Sequence, residues 1–178
     1  GSGEGVHAQI FQDQGKTVTA IDYGNSVYFQ AAKDTHRVIV GDFNQWKTQD
    51  KFECVWVSHV LEHQPNPNQF LKNIYNILDI NGVLAITVPP MKVQSVGGHL
   101  TLWNLGMLFY NLILAGFDCR NACGRRYDYN VSVILRKTPF TMPEIAYDSG
   151  DIELLAPFFP YEVREGYYSD ITSVNWPL

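Results

Sequence analysis

The sequence is poor in basic residues and in long apolar runs, and each shortage excludes a class of partner. Only 13 of its 178 residues are Lys or Arg, the formal net charge is -5, and no basic run occurs. Binding to a nucleic-acid backbone needs clustered cations, so we expect no nucleic-acid partner. The longest apolar stretch, residues 105–117, is interrupted by Asn111 and is too short to span a bilayer, so we expect no membrane partner.

Cysteine is also scarce, which bears on the compartment. Cys54, Cys119 and Cys123 form an odd set without a C-x-x-C pair. This pattern argues against a disulfide framework and favours a reducing compartment, so we expect a cytoplasmic protein with buried or half-buried thiols. Hydrophobic residues make up 46% of the chain, which indicates a globular domain with a core of its own.

Helical and strand-like segments alternate along most of the chain. The predicted helices are residues 6–14, 25–33, 70–78 and 100–115, and the predicted strands are residues 18–22, 38–40, 52–58, 83–88, 117–123 and 129–135. The last two strands are expected to form an antiparallel hairpin that turns at residues 124–126. The predicted fold class is therefore α/β, a Rossmann-like, doubly wound and mostly parallel sheet with a C-terminal antiparallel hairpin.

A glycine-rich turn opens the first helix, and the next strand stops at an acidic residue. Gly1, Gly3 and Gly5 allow a tight turn and close approach of a ligand, while the helix N-terminus favours negative charge. Asp22 stands where a carboxylate can accept hydrogen bonds from a ribose. Because Val6 occupies the last position of G-x-G-x-x-G, an NAD-dependent oxidoreductase is a disfavoured alternative.

Residues 52–63, with the sequence F-E-C-V-W-V-S-H-V-L-E-H, carry a more specific resemblance. They resemble the fourth-strand signature of the type 11 family of class I S-adenosylmethionine-dependent methyltransferases. The turn at residues 78–82 and the strand ending in Val88-Pro89 follow in the family's order. The resemblance covers about residues 1–137, and residues 138–178 are expected to form an aromatic-rich arm packed on that domain. It implies S-adenosylmethionine as cofactor and methyl transfer to a small-molecule or glycan-like acceptor.

The resemblance also implies roles for individual residues around the cofactor and the acceptor. The implied cofactor ligands are Gly1, Gly3 and Gly5 at the methionine end, Asp22 at the ribose, Tyr23, Asp42 and Phe43 at the adenine, and Ser58 and His59 below the sulfonium. His99 and His63 are the candidate catalytic bases, because imidazole exchanges protons near neutral pH.

The sequence departs from the family's pattern at its start. That pattern has a strand and an acidic residue before the first glycine, whereas this sequence begins at Gly1. We therefore expect an N-terminally truncated domain in which the C-terminal arm or a second copy, as in a homodimer, fills the place of the first strand. The alternative to an enzyme is a non-catalytic remnant or binding module that keeps the methyltransferase fold.

Residues 59–63 also match H-x-x-E-H, the pattern of a class of zinc proteases. Zinc binding in that pattern needs both histidines on one face of a continuous helix. A predicted strand runs directly into His59 and Pro65 follows, so the helix has no room. The sequence therefore predicts no metal site.

Overall fold

The strands form two sheets, one in each of the two units into which the chain divides. The computed structural model describes residues 1–30 and 38–177. The units are Gly1–Thr48, which holds a two-stranded sheet, and Gln49–Leu178, which holds a five-stranded sheet.

The first unit is a short α/β arrangement built on two parallel strands. Its elements are α1 (Val6–Asp13), β1 (Ala20–Asp22), α2 (Val27–Gln30) and β2 (Val38–Val40). The register places Asp22 opposite Val40, so both strands end at the same edge. Ser26 Oγ caps α2 by accepting from the Phe29 amide at 3.0 Å. The predicted helix 25–33 is thus present at residues 27–30, and its residues 31–33 lie outside the described residues.

The second unit has a mixed sheet with strand order β3-β4-β6-β5-β7. Its elements are β3 (Phe52–Ser58), a 3-10 turn (Leu61–His63), α3 (Pro67–Ile77), β4 (Leu78–Val88), α4 (Leu105–Leu114), β5 (Cys123–Tyr127), β6 (Asn130–Arg136), α5 (Asp151–Leu155), a second 3-10 turn (Ala156–Phe158) and β7 (Ser173–Val174). β3 and β4 are parallel, whereas β4, β6, β5 and β7 pair antiparallel. The predicted fold class, parallel strands followed by an antiparallel hairpin, is confirmed.

The helix α3 and the strand β4 both start earlier than predicted. Asn66 Oδ1 accepts from the Gln69 amide at 3.1 Å, and Pro67 takes the first helical position, so α3 begins at residue 67 rather than 70. The turn expected at residues 78–82 is wrong, because these residues belong to β4, whose first residue Leu78 pairs with Phe52 of β3. On the other side of the strand, the Asn81 amide donates to the Lys137 carbonyl at 2.9 Å.

The helix α4 begins at Leu105 and not at residue 100. Asn104 is extended, and its Oδ1 accepts from the Met107 amide at 2.9 Å, which fixes the N-terminus. The predicted strand 117–123 is also wrong, because the Asp118 carboxylate binds the Arg120 amide at 3.0 Å and turns the chain. The hairpin turns at residues 128–129, so Gly124 lies within β5.

The segment after residue 137 packs against α4 through aromatic rings and hydrogen bonds. The Gly106 amide donates to the Ser169 carbonyl at 2.8 Å, and the Tyr167 hydroxyl donates to the Gly106 carbonyl at 3.1 Å. The ring of Tyr161 lies edge-on to that of Phe109, with centroids 6.1 Å apart. The aromatic side chains of this segment therefore cover a helix of the sheet unit.

The three cysteines are free thiols. Cys119 is buried and Cys123 half-buried, but Cys54 is exposed, so the expectation for Cys54 is wrong. Cys54 lies on β3, which is an edge strand of the five-stranded sheet. Among residues 1–30 and 38–177, no helix combines the length and apolar composition that a membrane span requires.

Candidate functional site

The glycine turn of the first unit adopts backbone angles that favour glycine. Gly3 has φ +52° and Gly5 has φ +81°, and the Gly5 amide closes the turn by donating to the Ser2 carbonyl at 3.0 Å. Gly5 is the N-cap of α1, and no side chain caps that helix end. The amides at the start of α1 are therefore a suitable place for an anionic group.

Asp22 connects the glycine turn to the end of β1. Its side chain is buried, and the whole residue is only 4% exposed. Oδ2 accepts from the Gly3 amide at 3.0 Å, and Oδ1 accepts from the Gly24 amide at 2.9 Å. Burial raises the pKa of Asp22, but the amides of Gly24 and Gly3 outweigh it, so its pKa lies below the ordinary value. Asp22 thus holds the turn in place, a structural role that the sequence did not indicate.

Tyr23 and Asp42 meet at the carboxyl ends of the two parallel strands. The Tyr23 hydroxyl donates to Asp42 Oδ1 at 3.0 Å, and the Asn44 amide donates to the same oxygen at 2.8 Å. Partial burial raises the pKa of Asp42, but these donors outweigh it and leave the pKa below its ordinary value. Burial, followed by the contact with Asp42, raises the pKa of Tyr23. Phe43 is half-buried beside this pair.

In the second unit, the end of β3 leads into a strained residue. Ser58 pairs with Thr87 of β4, and His59 has φ +53°, a conformation that only a few per cent of non-glycine residues adopt. His59 Nε2 is 3.0 Å from Asn130 Oδ1, and Nδ1 is 3.4 Å from Glu62 Oε1. Glu62 raises the pKa of His59, burial of the ring opposes the rise, and Asn130 adds to it.

His63 and His99 come together beside a pocket in the same unit. Their ring centroids are 5.1 Å apart and the rings are edge-on. His99 would directly precede the predicted helix 100–115, but because α4 begins at Leu105 it lies in the loop before that helix. A pocket of about 240 Å³ adjoins this loop. Its lining residues are Pro89, Pro90, Lys92, Val93, Gln94, Ser95, Val96, His99, Leu100, Thr101, Leu102 and Tyr129.

Two pocket residues were not identified from the sequence. The Lys92 ammonium lies 4.2 Å from the centroid of the Tyr129 ring, and that ring stacks on His59 with centroids 6.1 Å apart. Asp128 and Asn130, the polar residues on either side of Tyr129, were the available signal for a hairpin turn carrying functional groups. Trp103, in the loop before α4, is buried and only 3% exposed, and it does not line the pocket. Tyr110, on α4, is half-buried and does not line the pocket either.

The sheet order and the parallel strand pairs define a Rossmann-like α/β fold. Residues 1–86 match the family model described as "Methyltransferase domain", which confirms the resemblance inferred from the sequence. No curated protein matches the chain at a significant level.

Three solved structures illustrate the similarity of fold. The 1,6-didemethyltoxoflavin-N1-methyltransferase of Burkholderia thailandensis, with bound 1,6-didemethyltoxoflavin and S-adenosylhomocysteine, is 19% identical, with TM-score 0.64 over 78% of this chain and 68% of that chain. A SAM-dependent methyltransferase from Archaeoglobus fulgidus is 14% identical, with TM-score 0.65 over 77% of this chain and 83% of that one. The cyclase SpnF is 22% identical, with TM-score 0.57 over 70% of this chain and 52% of that one.

Proposed function

We propose that this protein transfers a methyl group from S-adenosylmethionine to a small-molecule acceptor. The observation that carries the proposal is the meeting of Tyr23 and Asp42 at the ends of adjacent parallel strands, beside a glycine turn held by Asp22. Ligands of open α/β sheets bind at such carboxyl ends. The match to the methyltransferase family model over residues 1–86 supports the same activity.

The residues of the first unit fit the chemistry of this cofactor. When bound, S-adenosylmethionine supplies an electrophilic methyl group. Gly1, Gly3 and Gly5 would shape the turn around its methionine end, and its carboxylate would lie at the uncapped start of α1. Tyr23 and Asp42, with Phe43, would bind the adenine, and Asp22 would bind the ribose. Ser58 and His59 keep the role that the resemblance implies, below the sulfonium.

The pocket in the second unit is the proposed acceptor site. Its volume of about 240 Å³ favours a small molecule, or a single sugar unit of a glycan-like acceptor. The described residues that line it include Lys92 and His99, and none of them is acidic, so we infer that the acceptor carries a carboxylate or phosphate group. His99, with His63 behind it, would take the proton that a hydroxyl or amine acceptor releases.

Direct titration with S-adenosylhomocysteine tests the cofactor site. Calorimetry on the whole chain should detect binding, and Asp42→Asn should weaken it about tenfold, because one charged hydrogen bond is lost. Asp13→Asn is the matched control, since Asp13 is an exposed carboxylate of the same unit. Equal affinity of the Asp42→Asn variant and the wild type would contradict the proposed adenine contact.

A turnover assay distinguishes the enzyme from its alternatives. Release of S-adenosylhomocysteine is measured with small anionic hydroxyl and amine acceptors, and His99→Asn should slow it by about a hundredfold. Cofactor binding without turnover on any acceptor would favour a binding module. A melting temperature that NAD raises and S-adenosylmethionine does not would favour an oxidoreductase. The test is needed because a fold does not fix an activity, as the similar fold of a cyclase illustrates.

A further inference from the structure

A cluster of metal-binding side chains lies at the 3-10 turn of the second unit. Glu62, His63 and His99 each offer a ligand atom, and these atoms lie within 4.8 Å of one another. Among residues 1–30 and 38–177, this is the one group of three such side chains.

Glu62 is a buried carboxylate with an unsatisfied oxygen. The residue is 1% exposed, and Oε2 has no hydrogen-bond partner among the described residues. Oε1 is 3.6 Å from His63 Nε2 and 3.4 Å from His59 Nδ1. Burying a carboxylate without full compensation is costly, and a bound cation removes that cost.

His63 is oriented as a metal ligand is. Its Nδ1 is 2.8 Å from the Gly98 carbonyl oxygen, which can only accept, so Nδ1 carries the proton. In the neutral ring the lone pair is then on Nε2, the nitrogen nearer Glu62. A metal-bound histidine commonly donates its other N–H to a backbone carbonyl in this way. A Cβ at Gly98 would lie 3.1 Å from Nδ1, so this approach favours a glycine.

The loop that carries His99 is fixed to the same turn. The amides of Leu100 and Thr101 donate to the Glu62 carbonyl at 2.8 Å and 3.3 Å. His99 therefore reaches the cluster from a distant part of the sequence while it also lines the pocket.

We propose that Glu62, His63 and His99 bind one divalent transition-metal ion, with Zn²⁺ the best match to two imidazoles and a carboxylate. Tetrahedral ligands at about 2.1 Å from zinc are about 3.4 Å apart, so side-chain rotations would close the cluster on binding. Three protein ligands leave a fourth position open, as in catalytic zinc sites.

The proposed ion gives the H-x-x-E-H segment a role different from that of the zinc proteases. Leu61–His63 is a single 3-10 turn, so the absence of a long helix is confirmed. His99 takes the place that the first histidine would have in a helical motif. If the ion binds, His63 and His99 are its ligands and neither takes the acceptor's proton; the ion would polarise the acceptor, which would release that proton to solvent. This consequence rests on the proposed function, whereas ion binding does not.

Zinc titration of the whole, chelator-treated chain tests the site. A competing indicator should show one tight equivalent, with a dissociation constant of about 1 µM or below. His63→Ala and His99→Ala should each weaken binding at least about tenfold. His7→Ala, a change to a histidine on α1, should leave the affinity unchanged. The variants' melting temperatures show whether each is folded.

The spectrum of bound Co²⁺ identifies the type of ligand atom, and this measurement does not require methyl transfer. Co²⁺ bound by nitrogen and oxygen ligands should give four-coordinate d–d bands and no thiolate charge-transfer band. The proposal would be overturned if a folded His99→Ala variant bound zinc as tightly as the wild type. So would binding that depends on the exposed Cys54, tested as Cys54→Ser. Because neither titration needs cofactor or acceptor, failure of the metal site and failure of methyl transfer are observed separately.

Discussion

Replacing Asp22 should loosen the glycine turn of the first unit at neutral pH. Its two carboxylate oxygens accept from the Gly3 and Gly24 amides at 3.0 Å and 2.9 Å, in a residue that is 4% exposed. A hydrogen bond to a charged group contributes about 1.5–3 kcal/mol. Loss of both bonds in Asp22→Ala should therefore lower the stability of the first unit by at least about 3 kcal/mol. Asp22→Asn keeps one acceptor oxygen and should cost less.

Hydrogen exchange of peptides from residues 1–48 measures this loss where it occurs. A loss of about 3 kcal/mol corresponds to about a hundredfold faster exchange of the amides that open with the turn. Asp13→Ala, at an exposed carboxylate of the same unit, is the control. If the exchange of Asp22→Ala matches that of the control, the structural role assigned to Asp22 is wrong.

The pH dependence provides a second check on Asp22. The pKa of Asp22 is lowered in the folded state, so its contribution is fully present above the ordinary carboxyl pKa of about 3.9. It is lost as the pH falls through the lowered value. The difference between wild type and Asp22→Ala should therefore persist at pH 5–7 and shrink below about pH 4. A difference that grows on acidification would refute the argument.

Three further substitutions have outcomes that the structure specifies. Gly24→Ala should destabilise by about 1–3 kcal/mol more than Gly15→Ala in chemical denaturation, because both glycines have positive φ but only a Cβ at Gly24 meets Val40 Cγ1, at 2.7 Å. Gly106→Ala should speed proteolysis after residue 137, since the added Cβ would lie 2.7 Å from the backbone of that segment. Lys137→Met should lower the free energy of unfolding by about 2 kcal/mol, because its ammonium donates to two carbonyls at the end of α3. Equal stability of the two glycine variants, unchanged proteolysis, or an unchanged Lys137→Met protein would contradict the respective contacts.

The sequence alone determined the features that depend on a few neighbouring residues. The glycine spacing predicted the turn that opens α1, because positive φ is a local property of the backbone, and the predicted helix 6–14 ends just before Gly15, which also has positive φ. The β-branched strand ending at Asp22 predicted which carboxylate ends β1. The order of helices and strands followed from periodicity, and it sufficed for the fold class.

Tertiary contacts decided the rest, as Gly124 illustrates. Its neighbours in the sequence suggested a turn, yet it lies inside β5, where a Cβ would meet Phe109 at 2.7 Å and Leu105 at 2.8 Å. The approach of α4 to the sheet requires a glycine, and no local pattern shows that approach. His99 joins Glu62 and His63 for a similar reason, since the loop carrying it is held by the Glu62 carbonyl. Local backbone preferences specify elements and their ends, whereas side chains distant in the sequence meet only when the elements pack.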